Sequence, residues 1–316
     1  MKAAIVQSFD APPQVGAFAE PVAGDGETII TVSAAPLSPI VKFLAAGRHY
    51  AGDGAAGFVA GVDGVGTDPE GRRVYFLFPR APHGSMAERT LVASSMTIPV
   101  PDALGDAAAA AIATAGVAGW VALTRRAPLK AGQTVLVNGA SGAAGAMAVQ
   151  IARHLGAGKV IAVGRDAARL AGVQADIRIA QDEAAPGALR AAFDQGVDVV
   201  LDFVWGPSAS LLLEAAGLRR GARTGEPRLR YVVLGNTGGN ETPLRADMLR
   251  GSGLELLGSG LGAVSLEDLR RGAAALLAAA PGAGFAPNFQ RVPLDAVADV
   301  WGHGSEVRYI IEPSAA

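Results

Sequence analysis

The residues best suited to chemistry stand in one short run, Asn138-Gly139-Ala140-Ser141-Gly142-Ala143-Ala144-Gly145. An apolar stretch, 134–138, leads into it, and an amphipathic stretch, 146–155, follows. Strand, glycine-rich turn and helix in that order is the layout a dinucleotide pyrophosphate needs. The N–H groups of a helix N-terminus then face the phosphates, and small residues let the backbone approach them. Gly142 is the position of closest approach, and Gly145 lets the helix pack on the strand. Ala140 replaces the first glycine of the usual G-x-G-x-x-G pattern. The candidate contacts are therefore Ala140, Ser141, Gly142, Ala143, Ala144 and Gly145.

The next strand separates the two dinucleotides. An NAD site carries an acid at its tip, roughly 20 residues past the loop, for the ribose hydroxyls. Here 160–163 ends in Gly164-Arg165, with Asp166 only after it and Arg169 one turn on. A guanidinium suits a 2′-phosphate through paired, charge-assisted hydrogen bonds. Gly164, Arg165 and Arg169 thus point to NADPH. Phe203, Gly235-Asn236 and Gly258-Ser259 end later strands and are expected to meet the cofactor by main chain.

Such residues must be held by a regular frame. Short apolar runs at 3–6, 28–32, 58–62, 73–78 and 90–92, bounded by Pro, Gly, Asp or Ser, read as strands of a small barrel or sandwich. Beyond them, strands at 134–138, 160–163, 177–179, 198–202, 231–234 and 254–257 alternate with helices near 143–156, 166–172, 185–195, 208–217, 244–251 and 265–280. That alternation is a βαβ series, hence an α/β doubly wound parallel sheet. The tail reads strand, short helix, strand over 290–294, 295–300 and 307–311, and either finishes that sheet or returns to the first domain.

Composition narrows the class. A chain of 316 residues, half of them hydrophobic, points to two folded domains. With no cysteine, disulfides, thiolate metal sites and a cysteine nucleophile are excluded. A formal net charge of −2 gives no basic field for nucleic acid. Residues 107–124 are uncharged but rich in Ala and Gly, which fits a buried helix better than a membrane span. The N-terminus meets Asp10 before any signal-peptide core develops, so a cytoplasmic location is expected.

Taken together, the chain resembles the medium-chain dehydrogenase/reductase superfamily in its zinc-free quinone oxidoreductase branch. The resemblance rests on Met1-Lys2-Ala3-Ala4, Gly61-Val62-Asp63-Gly64-Val65-Gly66, Gly84-Ser85-Met86-Ala87-Glu88, the hinge-like stretch 107–123 with Trp120, and the cofactor helix through 138–156. It implies a GroES-like β-barrel domain, 1–112 with 284–316, and a Rossmann domain, 113–283, with the active site between them. Arg169 stands where related NADPH enzymes often carry Lys. A Tyr common after the third Rossmann strand is missing, since the sequence reads Ile177-Arg178-Ile179-Ala180-Gln181.

Zinc-dependent relatives ligate metal from positions that fall here on Ser38, Val62 and Thr114, and Val62 has no donor atom. No metal site is expected. The resemblance makes Tyr50, in Gly47-Arg48-His49-Tyr50, a candidate to polarise a carbonyl or place a water, with His49 sharing the role across an extra loop residue. Ser38 and Thr114 are candidate polar contacts in the same pocket. The implied reaction is hydride transfer from NADPH to a small hydrophobic quinone or α,β-unsaturated carbonyl, in a homodimer associating through 254–261.

Two other readings stay open. One is a carbonyl or alcohol reductase on the same fold; the other is a non-catalytic NADPH-binding sensor, suggested by the compressed loop 51–57. A short-chain reductase is excluded, because no Tyr has a Lys four residues later.

Overall fold

The computed structural model describes residues 1–50, 52, 55–217 and 228–313. Residues 51, 53 and 54 of the compressed loop lie outside the described residues. The chain forms two compact units, Met1–Ala115 with Arg270–Ala316 and Gly116–Leu269. These bounds fall at 115/116 and 269/270, where the sequence places 112/113 and 283/284.

In the first unit the strands are β1 (Lys2–Val6), β2 (Gln14–Ala17), β3 (Glu27–Leu37), β4 (Phe58–Val59), β5 (Asp63–Thr67), β6 (Arg73–Leu77), β7 (Arg89–Ala93) and β8 (Thr97–Pro99). The second unit holds β9 (Thr134–Asn138), β10 (Lys159–Gly164), β11 (Ile177–Ala180), β12 (Val199–Asp202), β13 (Leu229–Val233) and β14 (Leu254–Gly258). The tail adds β15 (Phe289–Pro293) and β16 (Arg308–Glu312).

The long strand β3 organises the first unit. It pairs antiparallel with β5, β7 and β16, and its register shifts between Val32 and Ala34. A bulge of this kind bends a strand so that it can serve several partners. The glycines of β5 explain the tight fit: a Cβ on Gly66 would lie 2.2 Å from the Thr31 carbonyl oxygen. The tail returns to this unit, in the order β15-β16-β3-β5-β6-β8. Ile30, Val32, Phe76, Met86, Val92, Val297 and Ile311 fill the core.

Residues 84–88 are no strand; only Ala87 bridges, to Ala3. A Cβ on Gly84 would meet the Val59 carbonyl oxygen at 2.0 Å, so the chain there crosses rather than pairs. Met86 N donates to the Ala60 carbonyl and Ala4 N donates to the Met86 carbonyl, both at 2.8 Å.

All pairings in the second unit's sheet are parallel, in the order β11-β10-β9-β12-β13-β14. Strand order reverses between β9 and β12, the switch point where α/β sheets bind ligands. Val135–Val137 and Val199–Leu201 are fully buried, as strands covered on both faces must be. Leu189, Phe193, Leu212 and Leu213 come from the helices Ala185–Gln195 and Gly206–Gly217 and share one core with Leu136, Val200 and Tyr231.

Among the described residues one helix, Asp106–Arg126, is long and apolar enough by length and composition to cross a membrane, and 67% of its apolar window is buried inside the protein.

Candidate active site

Five strands of the second unit, β9, β10, β12, β13 and β14, deliver the candidate cofactor residues at their carboxyl ends. After β9 the chain turns at Gly139, whose φ of 85° favours glycine. The amides of Gly139 and Ala140 both donate to the Val163 carbonyl, at 2.9 and 3.0 Å, which ties the turn to β10. Gly142 caps the helix Ala143–His154 in an extended conformation. The first helical bond runs from Ala146 N to the Gly142 carbonyl at 2.8 Å, so the amides before it precede the intrahelical ladder. A Cβ on Gly145 would stand 2.1 Å from the Gly139 carbonyl oxygen. The helix thus sits closer to the turn than any side chain allows, and the cradle fits a pyrophosphate.

Ser141 carries the turn toward β10: its Oγ would be 3.2 Å from a Cβ on Gly164. Beyond Gly164, Arg165 is exposed. Asp166 caps the next helix, accepting from the amides of Ala168 at 2.9 Å and Arg169 at 3.2 Å. Its Oδ2 also stands 3.4 Å from Arg169 Nε. Arg169 is therefore shared with an acid on the same turn.

The remaining strand ends close around this edge. Phe203 N donates to the Asn138 carbonyl at 3.2 Å, joining β12 to β9. Gly235 N donates to the Asp202 carbonyl at 3.2 Å, and a Cβ on Gly235 would meet the Phe203 carbonyl at 2.7 Å. Ser259 N donates to the Val233 carbonyl at 2.9 Å, and Gly258 accepts from Arg126 Nε at 2.9 Å. Asn236 is exposed and its amide donates to the Asn240 side chain. Ala140, Ser141, Gly142, Gly145, Gly164, Phe203 and Gly235 thus share one edge of one sheet.

The first unit holds the other candidates. His49 and Tyr50 stack with ring centroids 4.4 Å apart, and Tyr50 is 72% exposed. Burial holds the His49 imidazole below its usual pKa. Ser38 is buried at the N-cap of the helix Pro39–Ala45, and its Oγ has no hydrogen-bond partner. Thr114 lies half-buried on the helix Asp106–Val121.

Thr114 approaches a residue that sequence reasoning quoted without assigning it a role. Asp63 is buried at the start of β5, and Tyr75 OH donates to its Oδ2 at 2.8 Å. Burial pushes the Asp63 carboxyl up to about 6, against opposing contributions from Tyr75, Thr114 and Arg308. Arg308 is itself buried and lowered to about 10 by desolvation, while Asp63 acts to raise it. Its Nη1 donates to the Leu37 carbonyl at 2.9 Å. The signal was an acid set among the glycines and valines of 61–66, where no solvent-facing charge belongs. Among the described residues no three His, Asp or Glu side chains gather as a metal set.

No family model matches the sequence. The chain is 29% identical to a probable NADPH-dependent quinone reductase of Emericella nidulans, over 95% of this chain and 96% of that one. Its fold matches the Thermus thermophilus quinone oxidoreductase, solved with and without NADPH, at a TM-score of 0.79 and 26% identity, covering 99% and 100% of the two chains. Over nearly its whole length the chain is thus similar in sequence and fold to proteins named as quinone reductases and quinone oxidoreductases. It is also 32% identical, over 65% of its length, to a mycocerosic acid synthase-like polyketide synthase of Mycobacterium tuberculosis, of which it spans only 10%. In this chain, the glycine turn stands at the switch point of a sheet ordered as a Rossmann sheet requires.

Proposed function

We propose that the protein is an NADPH-dependent reductase that passes a hydride to a small hydrophobic quinone or α,β-unsaturated carbonyl. The observation that carries this reading is the Gly139–Gly145 turn, packed too closely for any side chain at 145, beside a strand tip that ends in Gly164 and Arg165. NADPH, when bound, supplies the hydride. The first-turn amides after Gly142 hold the pyrophosphate, and Arg165, with Arg169, takes the 2′-phosphate. Gln181 follows β11 where relatives often place a Tyr, so the arginines carry that phosphate without a phenol.

Polarisation of the substrate oxygen falls to Tyr50 or His49, with Ser38 and Thr114 as polar contacts. No metal is needed in this scheme, since Val62 offers no lone pair at the place where zinc-dependent relatives carry a ligand. The working form is a homodimer in the cytoplasm, joined through the β14 edge.

The test is consumption of NADPH and of NADH with simple quinones and enones. Turnover with NADPH preferred supports the reading. Binding of NADPH without turnover across quinones, enones and aldehydes would favour a sensor instead.

A further inference from the structure

Asp202 ends β12 with its carboxylate fully buried, and among the described residues no cation pairs with it. Four neutral donors take the charge. Asn138 Nδ2 and Val204 N reach Oδ1 at 2.8 Å, Trp205 N reaches it at 3.0 Å, and Tyr231 OH reaches Oδ2 at 2.6 Å. One side chain thereby joins the ends of β9 and β12 to the middle of β13.

The turn it grips is a strained one. Trp205 and Gly206 follow each other with φ of 57° and 59°, and an aromatic residue rarely adopts that conformation. Trp205 is held from the far side as well, its Nε1 donating to the Asn240 carbonyl at 3.2 Å. Val204 is pressed against the glycine turn, since a Cβ on Gly139 would lie 2.8 Å from Val204 Cγ2.

The network also runs outward. Asn138 precedes Gly139, and its Oδ1 accepts from Ser208 Oγ at 2.9 Å. Ser208 in turn accepts from Gln181 Nε2, and Gln181 N donates to the Gly164 carbonyl at 2.9 Å. Hydrogen bonds therefore connect Gly164, beside the arginines, to Tyr231 on β13.

We propose that Asp202 is a positioning residue for the dinucleotide. It locks the glycine turn and the Val204–Trp205 turn at one separation and, through Asn138 and Ser208, ties that spacing to the Gly164 edge. It touches neither cofactor nor substrate. The inference rests on the reading that the glycine turn binds NADPH. Because the clamp acts on the part common to both dinucleotides, its loss weakens NADPH and NADH alike.

The experiment measures Kd for NADPH and NADH by titration calorimetry on folded wild type, Asp202→Asn and Tyr231→Phe, with Tm recorded for each. Asparagine keeps one oxygen for the turn amides and turns its amide to the Tyr231 oxygen, so the shape survives and the charge is lost. The expected result is about tenfold weaker binding of both dinucleotides for Asp202→Asn. For Tyr231→Phe, which leaves Oδ2 unpartnered, the expectation is roughly threefold, again for both.

A lowered Tm with both Kd values unchanged overturns the proposal, since the network is then only structural. Loss confined to NADPH overturns it too, because the network would then act on the 2′-phosphate alone. If Asp202→Asn does not fold, Tyr231→Phe decides by the same criteria. Wild type that binds neither dinucleotide removes the NADPH reading itself, and this inference with it.

Discussion

The buried Asp63 carboxyl gives a pH dependence whose sign runs against that of most paired acids. Its pKa is raised from 3.8 to about 6, chiefly by burial. The folded chain therefore holds the Asp63 proton more tightly than the unfolded chain does. Stability from this group is fully present below the unfolded value and is lost as pH rises through the folded one. A rise of about two units corresponds to roughly 3 kcal/mol. Substituting Asp63→Asn keeps the shape and removes the titration.

The assay is urea unfolding of wild type and Asp63→Asn between about pH 4 and about pH 8, with the two stabilities subtracted at each pH. Groups that titrate alike in both proteins cancel. The wild-type advantage should fall by roughly 3 kcal/mol across that range and level off above about pH 7. Tyr75 is raised by burial first and then by Asp63, and Arg308 sits at about 10, so neither neighbour adds a step there. A difference that stays flat, or that grows with pH, refutes the reasoning. Asp63 would then be ionised throughout, with Arg308 outweighing its desolvation.

Other consequences can be checked on the purified protein. Arg165→Ala should weaken NADPH about tenfold while sparing NADH; equal losses by calorimetry would remove Arg165 from the 2′-phosphate. Gly145→Ala places a methyl 2.1 Å from the Gly139 carbonyl oxygen and 2.8 Å from Ala140 Cα, both backbone atoms that cannot step aside. It should abolish dinucleotide binding and destabilise the second unit by roughly 1–3 kcal/mol in urea unfolding. Asp166→Asn keeps the helix cap but frees Arg169 of its acid. The NADPH-to-NADH affinity ratio should rise about threefold, and an unchanged ratio would show that Arg169 stays out of the site. EDTA should leave quinone turnover unchanged, and loss restored by zinc would sink the metal-free scheme.

How much the sequence disclosed depended on the range over which each feature is encoded. The sheet of the second unit was legible because its central strands β9, β10 and β12 are near-continuous Val, Ile or Leu runs, set by local burial on both faces. Thr134–Asn138 and the helix Ala185–Gln195 have the bounds that the pattern suggested. In the first unit the signal was weaker. β2 and β8 are four and three residues long, and the helix Pro39–Ala45 is seven, too short for either period to register. The glycine turn could be read because its chemistry is contiguous in the chain.

Asp63 and Asp202 had no such advantage, because their partners are remote. Tyr75 and Arg308 reach Asp63 from β6 and β16, and Asn138 and Tyr231 reach Asp202 from β9 and β13. A lone acid inside an apolar strand still carries information, since leaving a carboxylate buried without partners is too unfavourable to persist. Both acids stand at one end of such a strand, Asp63 opening β5 and Asp202 closing β12. Only Asp202 stands at the carboxyl end of a parallel strand, where ligands bind. That difference in place separates them in role: the carboxylate at the switch point holds two turns in register, whereas Asp63 contributes stability to its own unit that is lost as pH rises through about 6.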